Sequence, residues 1–284
     1  MSSQIEKGAH FARSHSDPGI IVLPNAWDAG SAIMMAEAGF RAIATTSAGI
    51  AFSMGLPDGQ HVSRDAMLER VAQIVAAVAL PVSADLEAGY GPGAEDVAAT
   101  VRGALGAGAI GCNIEDATGS PHTPLFDIEL ACDRIRAGAE VAQRANQPFV
   151  LNARTDSYLV CPGDDRKNFT ETVKRANAYR EAGAGCLFVP GPMDQGTIAR
   201  LVREIDGPVN VLGARAGMAS ALSIADLERL GVKRVSIGGS LSAAVLGFVR
   251  HSMGELRESG TFGYTQQAPS NARLNAVMDK YRTR

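Results

Sequence analysis

Eight short apolar runs recur along the 284 residues, spaced at about one strand plus one helix. The runs lie at residues 20–23, 42–45, 81–85, 110–115, 149–152, 186–189, 209–212 and 234–237. Helical patterns separate them, at residues 31–37, 64–78, 94–105, 127–144, 168–181, 195–204, 224–230 and 241–258. Strands that alternate with helices build parallel sheets, and eight such units predict a closed (β/α)₈ TIM barrel.

An open, doubly wound sheet is the alternative architecture, and it would want a Gly-rich phosphate-binding turn after its first strand. The first run instead leads into Pro-Asn-Ala-Trp-Asp-Ala-Gly at residues 24–30, which lacks that turn. We therefore predict a single barrel domain over residues 1–284, in which residues 259–284 form a C-terminal extension.

Charged side chains stand where several of the runs end. Asp85 and Glu87 close the third run, Glu115 and Asp116 close the fourth, and Arg154 follows the fifth. Side chains alternate along a strand, and a barrel strand sends one parity into the lumen and the other toward the helices. By this alternation Asp116 faces away, and the other four side chains share the lumen.

The three lumen acids predict a metal site. Burying Asp85, Glu87 and Glu115 together is costly unless a cation compensates their charge. A ligand set made only of oxygen, without His or Cys, favours Mg²⁺, and Mn²⁺ would be accepted as well. The alternative is that these acids cap helices or pair with Arg154.

Arg154 itself has two interpretations. Its guanidinium either neutralises the acids or forms a bidentate fork for a carboxylate or phosphoryl group of a substrate. The segment Ala-Thr-Thr-Ser-Ala-Gly at 44–49 follows the second run, and its backbone N–H groups could cradle an oxyanion. Asp58, in Gly-Leu-Pro-Asp-Gly at 55–59, is on its own an ordinary turn residue.

The charge balance and the cysteines argue against several classes of protein. The 27 Lys and Arg residues are scattered and the formal net charge is −3, so the chain lacks the basic face that nucleic-acid binding requires. The four cysteines include no CxxC pair, and Cys112 and Cys186 lie in apolar runs, which indicates reduced, buried thiols. We find no apolar signal region and no run of about 18 apolar residues, so we expect a cytoplasmic protein without a membrane span.

Five segments, in order along the chain, resemble the isocitrate lyase/phosphoenolpyruvate mutase superfamily. They are Thr-Ser-Ala-Gly at 46–49, Leu-Pro-Asp at 56–58, Ala-Asp-Leu-Glu-Ala-Gly-Tyr-Gly at 84–91, Asn-Ile-Glu-Asp at 113–116 and Asn-Ala-Arg-Thr-Asp at 152–156. The resemblance implies a (β/α)₈ barrel whose last helix is exchanged between subunits, in a homotetramer built as a dimer of dimers. It also implies a magnesium site and a bound 2-oxo acid or enolpyruvate-like species.

The same resemblance implies roles for particular residues. Asp85 matches the direct metal ligand, and Asp58, Glu87 and Glu115 match acids that reach the metal through water. Arg154 matches the substrate-binding arginine. The other positions implied to bind the substrate are Thr46, Ser47 and Ala48, at the carboxylate-binding loop, and Asn210.

The loop after the fourth run departs from the superfamily pattern. Isocitrate and methylisocitrate lyases carry Lys-Lys-Cys-Gly-His there, whereas this chain has Ala-Thr-Gly-Ser-Pro-His-Thr-Pro at 117–124. The general acid of those lyases is therefore missing, and so are the Lys and Asn that phosphonomutases have in this loop. Ser47 and His122 are left as candidate catalytic side chains beside Arg154, although a lone loop histidine is more often a solvated surface residue.

The residues and the resemblance together favour a Mg²⁺-dependent lyase that acts on a small 2-oxo dicarboxylate, by C–C cleavage or decarboxylation through a metal-stabilised enolate. This chemistry needs no strong acid at the leaving group, which suits the loop. One alternative is P–C bond chemistry, by a phosphonomutase or phosphonopyruvate hydrolase. Another is a catalytically silent 2-oxo acid binding protein. A Schiff-base aldolase is disfavoured because the five lysines are predicted to lie in helices or loops.

Overall fold

The computed structural model describes residues 3–161, 163, 165–192, 194–214 and 222–282, and nine parallel strands lie within them. They are β1 (Ile21–Leu23), β2 (Asn25–Ala26), β3 (Ile43–Thr45), β4 (Val82–Asp85), β5 (Gly111–Glu115), β6 (Val150–Arg154), β7 (Cys186–Val189), β8 (Val209–Leu212) and β9 (Arg234–Ser236). Eight of them coincide with the predicted runs to within two residues, and β2 is the additional one. Positions 1, 2, 162, 164, 193, 215–221, 283 and 284 of the predicted domain lie outside the described residues.

The nine strands form one sheet in the order β1-β9-β8-β7-β6-β5-β4-β3-β2. At its two ends β1 pairs with β9 and β2 pairs with β3. Only Pro24 separates β1 from β2, and proline lacks the N–H that a continuous ladder needs, so the two are halves of one barrel strand. The sheet is thereby nearly closed, and the predicted α/β barrel is confirmed.

Twelve α-helices lie within the described residues. They are α1 (Gln4–Ser14), α2 (Ala29–Glu37), α3 (Ser47–Ser53), α4 (Arg64–Ala77), α5 (Ala94–Gly106), α6 (Ile128–Arg144), α7 (Ser157–Val160), α8 (Asp165–Glu181), α9 (Gln195–Glu204), α10 (Ile224–Arg229), α11 (Ser240–Ser259) and α12 (Asn271–Arg282). All eight predicted helices between and after the runs are present, and α12 occupies the predicted C-terminal extension. None of the described helices combines the length and the apolar character that a membrane crossing needs.

The helix α1 closes the bottom of the barrel, and the prediction omitted it. A capping box starts it, in which Ser3 accepts from the Glu6 N–H and Glu6 accepts from the Ser3 N–H. Its Phe11 is buried in an apolar cluster at this end of the barrel, with Leu23, Ala42, Ala44, Ile110, Val150 and Cys186. This apolar plug leaves the opposite end, where the strands finish, for polar side chains.

The segment at residues 44–49, whose backbone N–H groups we expect to cradle an oxyanion, contains the start of α3. Thr46 is the N-cap, and its hydroxyl accepts a hydrogen bond from the Gly49 N–H at 3.3 Å. A Cβ at Gly49 would lie 2.7 Å from the Thr46 methyl group and 2.9 Å from Trp27, so this turn is packed too tightly for a larger residue. The polar groups of this segment are therefore held by a helix.

Asp116 faces away from the lumen, as strand alternation predicts. Its carboxylate lies between the sheet and the helices, 2.6 Å from the Tyr179 hydroxyl and 3.2 Å from Arg175 Nη1. Its other oxygen accepts from the Asp156 N–H at 2.9 Å. Buried polar groups need such partners, so Asp116 fixes the chain after β6 against α8.

The last long helix, α11, leaves much of its apolar surface uncovered. Phe248 is 55% exposed, and Leu241, Val245, Leu246, Val249, Met253 and Leu256 are exposed as well. The C-terminal helix α12, by contrast, packs on α2 of the same chain, where Tyr281 is buried and Lys280 pairs with Glu37 at 2.7 Å. An apolar stripe of this kind is typical of a surface that a partner covers.

Candidate active site

A cavity of about 190 Å³ lies where the barrel strands end. Its wall includes Asn25, Thr46, Ser47, Ala48, Asp58, Asp85, Asn113, Arg154, Phe188, Leu212, Arg234 and Ser236. A larger cavity, of about 410 Å³, lies around α1 at the other end, but no predicted site residue lines it. Active sites of α/β barrels lie at the C-terminal ends of the strands, so we identify the smaller cavity as the candidate active site.

The carboxylate of Asp85 accepts three hydrogen bonds on the wall of this cavity. Its Oδ2 accepts hydrogen bonds from the N–H and the hydroxyl of Ser47, at 2.8 and 2.9 Å, and its Oδ1 accepts from Asn113 Nδ2 at 2.6 Å. The Asp85 N–H donates to the Thr45 hydroxyl at 2.8 Å. These bonds fix the carboxylate between β3, α3 and β5, and Oδ1 keeps an open lone pair.

Asp58 and Glu87 add negative charge near Asp85. The carboxyl of Asp58 lies on the cavity wall, 3.4 Å from the Ser47 hydroxyl, and loss of hydration and then Asp85 raise its pKa. Glu87 is buried, and it accepts from the Gln60 N–H and from the Tyr90 hydroxyl. Burial and then Asp85 raise the pKa of Glu87 to about 7.

Arg154 is held by two carboxylates. Its Nε and Nη2 donate to the two oxygens of Asp156 at 2.6 and 3.0 Å, and its Nη1 lies 2.9 Å from Glu115 Oε2. Burial opposes the charge of Arg154, but Asp156 and Glu115 outweigh it and raise the pKa of the guanidinium. Burial also raises the pKa of Glu115 well above its usual value, and Arg154 opposes that rise. The bidentate fork is therefore occupied by Asp156, and Arg154, which lines the cavity, keeps one further N–H on each Nη atom for another acceptor.

This set of side chains fits a hydrated Mg²⁺ ion. Asp58, Glu87 and Glu115 all have raised pKa values, partly because each lies near Asp85, and a divalent cation would relieve that repulsion. Among the described residues, no three His, Cys, Asp or Glu side chains converge closely enough to enclose a metal ion. Mg²⁺ does not require this, because it takes one or two carboxylates directly and keeps several waters. Asp85 Oδ1 has a free lone pair on the cavity wall, and its role as the direct ligand stays a prediction.

The segment from Thr46 to Ala48 lines the cavity, and its groups are already partly used. The Thr46 N–H donates to the Ala26 carbonyl at 3.0 Å, and the Ser47 N–H donates to Asp85. The Ala48 N–H lies in the first turn of α3, where no intrahelical acceptor exists. It is therefore the backbone donor of this segment that is best placed for a substrate oxyanion, and that role stays a prediction.

Four predicted site residues do not line this cavity, namely Glu87 and Glu115, which lie near Asp85, and Asn210 and His122. Asn210 is fully buried deeper in the lumen, with its amide 3.4 to 3.5 Å from the Ser236 hydroxyl. His122 is exposed on the loop between β5 and α6, which closes on itself through Ala117 and Leu125. The loop would have to change conformation for His122 to reach the cavity, so its catalytic role stays a prediction.

Three further site residues were not predicted. Asp156 holds Arg154, Asn113 holds Asp85, and Arg234 lines the cavity from β9. Strand alternation could have predicted two of these three residues. Asn113 shares its parity with Glu115, and Arg234 shares its parity with the lumen residue Ser236. Asp156 lies beyond the end of β6, where alternation no longer applies.

Comparisons with known proteins place this site in a family. The family model for phosphoenolpyruvate phosphomutase matches residues 11–257. The crystal structure of a candidate lyase/mutase from Burkholderia cenocepacia superposes with a TM-score of 0.90 at 44% identity, covering 96% of this chain and 95% of that chain. An uncharacterized protein of Mycobacterium tuberculosis is 40% identical over 231 residues, 81% of this chain and 82% of the relative. The 2,3-dimethylmalate lyase of Eubacterium barkeri is 30% identical over 219 residues, 75% of this chain and 73% of the lyase.

The chain therefore belongs to the phosphoenolpyruvate phosphomutase family. This family is part of the isocitrate lyase/phosphoenolpyruvate mutase superfamily of lyases and mutases, and the predicted membership is confirmed. The superfamily contains enzymes that act on small molecules, in agreement with a small polar cavity.

The raised pKa of Glu87 predicts how the metal-free protein responds to pH. The folded protein keeps a proton on Glu87 up to about pH 7, whereas the unfolded chain releases it near pH 4.5. The free energy of unfolding should therefore fall as the pH rises from about 4.5 to 7, because the folded state binds more protons over that range. Urea unfolding in EDTA at pH 5.5 and 7.5 measures this fall.

The matched variant is E87Q, which has a similar shape but cannot ionise. Its fall in stability between the two pH values should be smaller than that of the wild-type protein. Equal falls in both proteins would contradict the assignment of a raised pKa to Glu87.

Proposed function

We propose that this protein is a Mg²⁺-dependent lyase that acts on a small 2-oxo dicarboxylate, by C–C cleavage or decarboxylation through an enolate. The observation that carries the proposal is the position of Asp85. Its carboxylate is fixed by Ser47 and Asn113 in a small cavity that also contains an arginine, Arg154. Oxygen ligands beside a guanidinium suit a cation and a carboxylate substrate at the same place.

Asp85 would hold the cation directly, and Asp58, Glu87 and Glu115 would hold its waters. When bound, the cation supplies a Lewis acid that stabilises negative charge on the former keto oxygen of the substrate. The free N–H groups of Arg154 and the Ala48 N–H would bind the neighbouring carboxylate and fix its orientation.

Ser47 is placed to move a proton after the bond breaks. Its hydroxyl lies between Asp85 and Asp58, at 2.9 and 3.4 Å. The proton for the substrate carbon would come from the Ser47 hydroxyl, which would regain one from solvent through the carboxyl of Asp58. The loop at 117–125 contributes no lysine or cysteine, in agreement with a cleavage that needs no strong acid at the leaving group.

A turnover assay with a panel of acids tests this proposal. We expect the protein with Mg²⁺ to consume oxaloacetate, detected by NMR as pyruvate, formed with release of CO₂, for decarboxylation, or as oxalate and acetate, formed with uptake of one water molecule, for hydrolytic C–C cleavage. We expect no cleavage of methylisocitrate. EDTA should abolish turnover, and D85N should lower kcat/KM on the order of 1,000-fold, because the direct metal ligand loses its charge.

The matched control is D65N, which removes an exposed carboxylate on α4 and should leave turnover unchanged. Full turnover in EDTA, or by D85N, would contradict the proposed role of the metal. A protein that consumed no 2-oxo acid would contradict the proposed reaction.

P–C bond chemistry is the second candidate reaction, and the match to the phosphoenolpyruvate phosphomutase model favours it. In that case Arg154 would face a phosphoryl group instead of a carboxylate. Phosphorus NMR on phosphonopyruvate and phosphoenolpyruvate separates the two reactions, because only P–C chemistry changes the phosphorus signal.

We also propose that the exposed apolar face of α11 packs on another copy of the chain, in a dimer of dimers. The variant F248E places a charge in the middle of this face and should shift the oligomer to a smaller species, because a buried unpaired charge is costly. L130E, at an exposed apolar residue of α6, is the matched control and should keep the oligomer intact. Light scattering measures both masses, and an unchanged mass for F248E would contradict the proposed interface.

A further inference from the structure

Arg234 is a buried cation in the lumen of the barrel. It begins β9 and is 1% exposed, and its Nη2 donates to the Ser83 hydroxyl at 3.2 Å. Its guanidinium lies 5.7 Å from the centre of the Phe11 ring, on the side of the apolar plug. Since Arg234 also lines the candidate active site, its side chain forms part of the floor of that cavity.

Two of the nitrogen atoms of Arg234 are without partners. Among the described residues, neither Nε nor Nη1 finds a hydrogen-bond acceptor, although both are buried. No carboxylate of the described residues lies within ion-pair distance of this guanidinium. An arginine keeps its charge in proteins, and a buried charge without a counter-ion is strongly unfavourable.

Unlike Arg154, Arg234 has no carboxylate partner among the described residues. Arg154 is paired with Glu115 and Asp156, so its charge is already compensated. The charge of Asp85 acts on Arg234, but no ion pair joins them, and the Asp85 carboxylate is held by Ser47 and Asn113. The cavity therefore contains one compensated arginine at its wall and one uncompensated arginine at its floor.

A second buried group in the same lumen also lacks partners. Asn152 is fully buried on β6, with the same parity as Arg154, and neither its Oδ1 nor its Nδ2 has a hydrogen-bond partner. Buried waters could satisfy these polar atoms, but water cannot neutralise the charge of Arg234. An anion can accept hydrogen bonds from these polar atoms and also neutralise the charge of Arg234.

We infer that Arg234 binds an anionic group of the substrate, namely the second carboxylate of a dianionic acid whose first carboxylate lies beside Arg154. This inference rests on the proposed function, and it adds the residue that selects dicarboxylates over monocarboxylates. The small cavity suits it, because about 190 Å³ is below the usual size of a site for a drug-sized ligand. Arg234 would then be paired only when the substrate is bound.

Titration calorimetry with lactate and malate, in the presence of Mg²⁺, tests the inference. The two acids share the chelating 2-hydroxy acid group and differ in the second carboxylate. The wild-type protein should bind malate more tightly than lactate by about 30-fold or more, as expected for hydrogen bonds to a charged group. R234Q should lose this preference and keep its affinity for lactate within about threefold.

R234K and R134Q complete the experiment. R234K keeps the cation and should show a preference between those of the wild type and R234Q, and it decides the question if R234Q does not fold. Arg134 is also buried, but it donates to the carbonyls of Ala88 and Gly91 outside the lumen. R134Q should therefore lower the melting temperature and leave the preference for malate unchanged.

The inference would be overturned by a wild-type protein without a preference for malate, by R234Q losing affinity for both acids equally, or by a folded R234K without any preference. Turnover is not needed for this readout. A protein that prefers malate through Arg234 but consumes no 2-oxo acid would contradict only the proposed reaction, so the two failures can be told apart.

Discussion

The negative charge gathered around Asp85 is the constraint on which the candidate site depends. The barrel brings Asp58, Glu87 and Glu115 close to this carboxylate, and burial and mutual repulsion raise the pKa of all three. The fold holds Asp85 in place with hydrogen bonds from Ser47 and therefore cannot relax the repulsion by moving it. The proposed cation would compensate the charge that folding has concentrated here, and side chains that offer only oxygen atoms suit Mg²⁺.

The positive charges of the two arginines at the cavity are compensated to different extents. Arg154 is fixed by Asp156 and Glu115, which makes it a rigid donor whose charge is already balanced. Arg234 lies deeper, above the apolar plug around Phe11, and its Nε and Nη1 have no hydrogen-bond partner among the described residues. A substrate with two carboxylates would meet both arginines, and the cation at Asp85 would lie beside the reacting bond. The positions of the two arginines therefore favour a dicarboxylate as the proposed substrate.

Most of the fold and the position of the site were predictable from sequence, because both follow from alternation. Apolar runs of four to six residues marked the strands, and the parity of Asp85, Glu115 and Arg154 placed them in one lumen. The same argument would have found Arg234, which was overlooked because it stands at the first position of its run. Asp156 lies beyond a strand end, where no periodic signal reaches it.

Other features depended on tertiary contacts that a linear pattern does not contain. The helix α3 begins within the segment at 44–49, where Thr46 caps it and the Ser47 N–H donates to Asp85. The pairing of the Arg154 guanidinium with Asp156 depends on how the fold brings these two side chains together. The loop at 117–125 matches neither of the two catalytic-loop patterns of the superfamily, so the sequence did not define the reaction. Identity to relatives defines the family and leaves the chemistry of this loop to experiment.

A crystal structure with Mn²⁺ and oxalate, in which anomalous scattering locates the metal, tests the proposed metal site. We expect one strong peak per chain within bonding distance of Asp85 Oδ1, with oxalate between the metal and the free N–H groups of Arg154. A metal bound elsewhere, or oxalate bound in the cavity without any metal at Asp85, would contradict the proposed metal site.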